Sequence, residues 1–401
     1  MDKLKVYMLG KGSVTLGESI EAFLSKYKEA ASFSHTPDGN KARVGHCVHG
    51  VVDRLKIIND PFLPHGVKLY DMKLLHLLTH YNPANRTKLR DDLYGLTYLV
   101  EALNFLLQPD NNPIKSLDSL QASLCIEILK ILFNLTIIEG TLDQDKETQF
   151  MKLVGVLRGL LVCPIQSSDL RDQLHNHIVQ LLTAVPNKNL RELLISAEVK
   201  ISYCIGCRDS EYKDMNMDAV IVLLDFLKIQ LVKLKAKKAS KETICPFLYS
   251  FCRMCRSSRI IRDFCRMMIL SNSEDGAERL SENGDPLRNR LYNLFSNPCE
   301  EIKILSVNFF YILCKKNRSL FMKYTGEDSV ELLDEMNLIV CRSSSSQSTI
   351  FDEVEDESKW SKKSKLKPLQ LSVAARRPPI AISVFDFVLM QNIKNSFTNF
   401  V

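Results

Sequence analysis

The chain has 401 residues, of which 45% are hydrophobic and 25% charged, with a formal net charge of +6. This is ordinary globular composition with enough apolar residues for a large core, which excludes a wholly disordered or fibrous chain. Its lysines and arginines are mostly interspersed with acids, so the charge does not call for a nucleic-acid partner.

Residues 1–45 form a poorly patterned leader. The spacing predicts a helix from Leu16 to Ala31, followed by the loop HTPDGNKARVG. It carries no apolar core or small-residue cleavage site of a secretory signal. From about Cys47 apolar residues recur at helical spacing. Helices are predicted over Val51 to Ile58, Lys68 to His80, Asn85 to Tyr94 and Thr97 to Leu107, with Pro61, Pro64, Asn82-Pro83 and Gly95 as breaks. The loop at 108–116 precedes a helix from Leu117 to Ile138 that ends at Gly140. Further helices follow over Lys146 to Val162, Ser168 to Val185, Asn189 to Ser196, and Met217 to Lys238.

Ile244 to Arg256 is the next helix, with Pro246 placed in its first turn. Arg259 to Leu270 continues the series, and 271–285 reads as a polar loop. From Asp285 to Gly326 a helix pair is broken at Asn297-Pro298, and Ser329 to Ile339 gives a last short helix. Strand-like alternation is nearly absent. The long helices centre near residues 75, 130, 178, 226 and 308, a spacing of roughly fifty, close to the ~40–47 of armadillo and HEAT repeats. The predicted fold is all-α: an armadillo/HEAT-like α-solenoid over 46–340. A serine-rich, acidic, then basic linker over 341–365 should be disordered, and 366–401 is an atypical tail.

Little in the chain points to catalysis. Gly10-Lys11-Gly12-Ser13 lacks the first glycine, the hydroxyl and the strand of a phosphate loop. His46, Cys47 and His49, and the pairs Cys204/Cys207 and Cys252/Cys255, are the metal-ligand candidates. The cysteine pairs stand too far apart for a compact zinc site. Cys125, Cys163, Cys252 and Cys314 lie in apolar helical stretches, as buried reduced thiols do. No enzyme, metal or cofactor is therefore expected, no run of about eighteen uncharged apolar residues marks a membrane span, and the chain reads as cytoplasmic.

The polar faces of the long helices carry more information. Lys73, His76 and His80 form one stripe. Glu127, Lys130 and Asn134 form a second, Gln173, His177 and Gln180 a third, and Glu301, Asn308, Tyr311 and Lys315 a fourth. In a solenoid such stripes lie side by side and can grip an extended segment or helix, although each is also what the wet side of an amphipathic helix looks like. The run KIQLVKLKAKKASK offers another reading, an armadillo-type scaffold that holds extended or acidic peptides, or simply lysines complementing a helix C-terminus. In the tail, Thr349 is followed by Asp352 in the acidic run FDEVEDE, which marks Thr349 as a phosphorylation candidate.

The segments LYDMKLLHLLTHYNPANRTKLRDDLYGLTYLVEALNFLL, EILKILFNLT, NMDAVIVLLDFLKIQLVK and RNRLYNLFSNPCEEIKILSVNFFYILCKKNRSLFMKYTG, in this order, resemble the synembryn family, also called resistance to inhibitors of cholinesterase. The resemblance spans about residues 46–358. It implies an armadillo-type solenoid that is a folding chaperone and guanine nucleotide exchange factor for heterotrimeric G-protein α subunits, GDP-bound or nucleotide-free. It also implies a concave groove that draws the α subunit's C-terminal helix away from its nucleotide domain, and a place at the cell cortex through that subunit. On this reading Lys73, His76, Lys130, Asn134, His177, Phe226 and Asn308 are the groove candidates. Residues 1–45 and 366–401 do not resemble the family's further helical regions, so a shortened form with weakened exchange is implied.

Overall fold

The computed structural model describes residues 48–108, 116–136, 144–198, 210–270 and 286–343. Helix dominates them. Residues 48–55 are helical, followed by α1 (His65–Tyr81), α2 (Pro83–Thr87), which runs on into a π-helical turn at Lys88–Asp92, and α3 (Gly95–Leu107). Next come α4 (Ser119–Thr136), α5 (Gln144–Val162), α6 (Ser168–Ala184) and a 3-10 turn, Asn187–Leu193. α7 (Asp218–Lys235), α8 (Lys241–Ser257), α9 (Arg259–Leu270) and α10 (Pro286–Tyr292) follow, then α11 (Glu300–Leu313), α12 (Arg318–Thr325) and α13 (Asp328–Ser343). The chain divides into two compact units, 1–325 and 326–401, and of the second the structure describes α13 with the two residues before it.

Local chemistry sets the boundaries. Asn82 ends α1 and caps α2, its Oδ1 accepting the Ala84 N–H at 2.9 Å while Pro83 fills the first helical position. Asp118 and Gln121 form a reciprocal capping box before α4, each side chain accepting the other's backbone N–H at 2.8 and 3.2 Å. Ser167 caps α6 and Asn317 caps α12 one-sidedly, their side-chain oxygens accepting the N–H of Leu170 at 3.4 Å and of Leu320 at 2.9 Å. Before α3 the chain turns through Tyr94 at φ 52°, and the next residue has to be small: a Cβ on Gly95 would stand 2.5 Å from Leu89 Cδ1 and 2.8 Å from the Leu89 carbonyl.

In the first unit the helices form two layers. α1, α4, α6, α8 and α11 pack side by side as consecutive rungs, and α3, α5, α7 and α10 form the layer behind them. Neighbouring rungs run in the same direction, as cross-links at successive turns show. Asn134 meets Thr79 and His76 meets Glu127 between α1 and α4; Ser250 reaches the Val179 carbonyl and Arg253 the Leu182 carbonyl between α6 and α8. Lys241 pairs with Glu301 at one end of α8 and α11, and Arg256 with Asn308 nearer the other. A chain of rings, His175–Phe226–Phe247, runs between the layers, and Phe251–Phe309 joins the last two rungs.

The predicted all-α solenoid holds, and most predicted helices stand within a few residues of their expected bounds. Five details differ. Residues 187–193 form a 3-10 turn where a helix from Asn189 was expected, and a three-stranded antiparallel sheet of two-residue strands follows: β1 (Ile195–Ser196), β2 (Glu211–Tyr212) and β3 (Met215–Asn216), in the order β1-β3-β2. Pro246 sits in the body of α8, because Ser240 and not a later residue precedes the helix. The eight residues of α12 were not anticipated, and α13 continues to Ser343, past the expected start of the linker at Cys341. The expectations for residues 1–45, the loops at 109–115 and 271–285, Gly140, Cys204/Cys207, Thr349 and the tail fall outside the described residues.

Candidate functional site

The first three rungs bring one polar cluster together. On α4, Glu127 accepts from Lys130 Nζ at 2.8 Å and lies 3.5 Å from His76 Nδ1 on α1. Burial alone would lift the Glu127 carboxyl, yet His76 and Lys130 outweigh it and hold the group down at about 2. His177 on α6 feels the charges of Lys130, Glu127 and His76, so all three rungs meet at this point. Its Nδ1–H donates to Gln180 Oε1 at 2.9 Å. Burial, with Lys130 next in effect, depresses the His177 ring to about 4, leaving Nε2 an unprotonated acceptor at neutral pH.

Around this cluster the other sequence candidates divide. Lys73 is half-buried, with its ammonium 5.1 Å above the Tyr70 ring. Asn308 on α11 is half-buried and accepts from Arg256 at 3.2 Å. Asn134 and Phe226 do not face the surface. Asn134 is buried, donating to the Thr79 hydroxyl at 3.2 Å, and so is a cross-link between rungs. Phe226 belongs to the rear layer on α7, buried between the rings of His175 and Phe247.

The fourth rung is accordingly α8 and not the helix centred near residue 226. Its exposed residues are confined to its ends, because every residue from Ile244 to Cys255 is buried. The polar groups on this rung serve backbone instead of solvent. Arg253 donates from Nη1 to the Leu182 carbonyl at 2.7 Å, from Nη2 to the Val185 carbonyl, and from Nε to Asn187 Oδ1 at 2.8 Å. A guanidinium is thus set on the carbonyl end of α6, where the helix dipole favours positive charge. The open polar surface has two parts: the cluster on α1, α4 and α6, and a second where α8 ends beside Asn308, Lys315 and Lys316. Lys315 and Lys316 occupy left-handed backbone positions, and burial, with Arg256 and Arg262 nearby, lowers the Lys316 ammonium.

Eight cysteines lie among the described residues, seven of them buried. Burial pushes Cys245 and Cys314 up to about 12, far from the thiolate state that metals and electrophiles require. Among the described residues no group of three or more His, Cys, Asp or Glu side chains converges as a metal site. One described helix, α4, is long and apolar enough to cross a membrane by length and composition, and 67% of it is buried inside the protein.

Parallel rungs backed by a second layer of helices define an all-α solenoid, a class whose working surface is the ladder made by one helix from each repeat. The family model for the guanine nucleotide exchange factor synembryn matches residues 37–326, and the chain belongs to this family. Chaperone Ric-8A of Gallus gallus is 31% identical over 291 residues, covering 70% of this chain and 52% of that protein. Chaperone Ric-8A of Xenopus tropicalis is 32% identical over 290 residues, 70% and 52% of the two chains. Chaperone Ric-8 of Drosophila pseudoobscura pseudoobscura is 29% identical over 314 residues, 74% and 54%. The chain spans about half the length of the curated relatives it matches.

Proposed function

We propose that this chain binds heterotrimeric G-protein α subunits along its ladder, assists their folding and promotes release of bound GDP. Membership of the synembryn family and the chaperone names of the relatives support this reading. The observation that carries it is the cluster of His76, Glu127, Lys130 and His177, which joins three rungs into one polar patch with both charge signs and a neutral imidazole. Such a surface fits a partner helix or extended tail laid across the rungs. Lys73, one turn before His76 on α1, extends the contact along the first rung, and Asn308 belongs to the separate patch beyond α8.

Exchange on this reading needs no bond made or broken by the chain. A surface that binds the open, nucleotide-free conformation of the α subunit more tightly than the closed one shifts the population toward release, by tenfold for each ~1.4 kcal/mol of preference. The burial of seven of the eight described cysteine thiols accords with a reducing compartment, and we place the chain in the cytoplasm.

The test measures release of labelled GDP from purified α subunits, and recovery of folded α subunit after dilution from denaturant, with and without the full chain. Faster release or higher recovery is expected. Lys130→Glu, which turns the cluster acidic without shortening α4, should weaken α-subunit binding about tenfold. A chain that neither binds an α subunit nor changes its release or recovery would overturn the proposal.

A further inference from the structure

The lysine-rich end of α7 lies in the rear layer and takes no part in the ladder. On its outer side Ile229 and Val232 are 42% and 47% exposed. They stand three residues apart, with Lys235 three further on, so all three share one face of the helix. Two neighbouring lysines have acid partners: Lys228 pairs with the exposed Asp225 at 3.0 Å and Lys233 with Asp172 at 2.7 Å. Lys235, Lys237 and Lys238 are exposed and have no acid partner among the described residues.

The helix ends in a turn that holds a lysine where glycine is at ease. Lys237 N–H donates to the Leu234 carbonyl at 2.9 Å and Lys238 N–H to the Lys233 carbonyl at 2.7 Å, the bond pair of a Schellman motif. Its pivot, Lys237, has φ 55°, a left-handed conformation that a Cβ disfavours. Glycine would close the same turn more comfortably, so the ammonium group is the part of this residue that the turn does not explain.

Aliphatic side chains interleaved with flexible ammonium groups match one kind of surface well. Lysine stems can reach up to headgroup phosphates while Ile and Val enter the headgroup–acyl boundary beneath them. Capture of carboxylate side chains favours planar guanidinium forks, and α7 contains no arginine. We propose that the C-terminal half of α7 docks on an anionic phospholipid bilayer, with Ile229 and Val232 inserted and Lys235, Lys237 and Lys238 at the headgroups.

The inference is independent of the ladder and is tested without an α subunit, by sedimenting the full chain with phosphatidylcholine vesicles that contain or lack phosphatidylserine. Binding is expected only with phosphatidylserine and should fall as salt is raised. Replacing Lys235, Lys237 and Lys238 together by Gln should lower partitioning about 100-fold, since each lysine at an anionic surface contributes about fivefold. Ile229→Ser with Val232→Ser should weaken it too, with an unchanged thermal melt. Lys237→Gly separates fold from binding: it should raise the melting temperature while weakening vesicle association. Equal binding to neutral vesicles, no binding to anionic ones, or full retention by the triple-Gln variant would overturn the proposal. So would a soluble polyglutamate that binds the chain while vesicles do not, which would make the site one for acidic polymers.

Discussion

His175 shows how a buried titratable group ties the stability of this protein to pH. It is 5% exposed, its ring packs against Phe226, and its Nε2 has no hydrogen-bond partner. Burial, then the nearby Arg171, depresses the ring to about 4, against the opposing pull of Asp172 and a hydrogen bond to the Leu161 backbone. Between pH 4 and about 6.5 the unfolded chain therefore binds a proton that the folded chain refuses. Stability is full above that window and is lost as pH falls through it. From pH 7 to pH 5 the loss from His175 should be about 2 kcal/mol, and His177, also held at about 4, acts in the same direction. Urea unfolding at both pH values checks this: His175→Leu should flatten the response, and an unchanged response would contradict the assignment. Sequence could not single out His175 from His177, because both lie on one amphipathic helix and only packing decides which ring meets Phe226.

Cross-links between rungs belong to the scale of the element. Ser250 and Arg253 give α8 a polar stripe that reads in sequence like a wet face, but these side chains satisfy carbonyls of α6 instead. This is why periodicity picked the helix centred near 226 as a rung: α7 has the longer uninterrupted pattern, and the pairing partner of a polar side chain leaves no trace in spacing. The same limit applies to the small sheet. Its β2–β3 turn is made by Lys213 and Asp214, both at positive φ, where Asn-Gly would have announced a hairpin. By contrast, α5, α6 and α9 were legible to within a few residues from apolar spacing together with proline and cap signals. The buried guanidinium gives a firm expectation. Arg253→Leu strands the Leu182 and Val185 carbonyls and should destabilise the fold by roughly 2–4 kcal/mol. Loss of less than about 0.5 kcal/mol, read from denaturant midpoints, would mean that water satisfies these groups equally well.

At the scale of the whole molecule, the solenoid and the family were readable from ordered segments across the first unit, whereas the precise composition of the polar surface was not. Four of the sequence candidates, Lys73, His76, Lys130 and His177, lie on the three open rungs; Asn134 and Phe226 are buried parts of the packing, and Asn308 stands at the second open patch. A repeat protein couples neighbours rather than distant repeats, so a partner laid on α1, α4 and α6 should leave its mark there and fade behind them. Hydrogen–deuterium exchange of the chain, alone and with a nucleotide-free α subunit, reads this directly. Slowed exchange in residues 65–81, 119–136 and 168–184, with 218–235 unchanged, is the result this account predicts. Protection confined to the rear layer, with the three rungs exchanging as they do in the free chain, would contradict it.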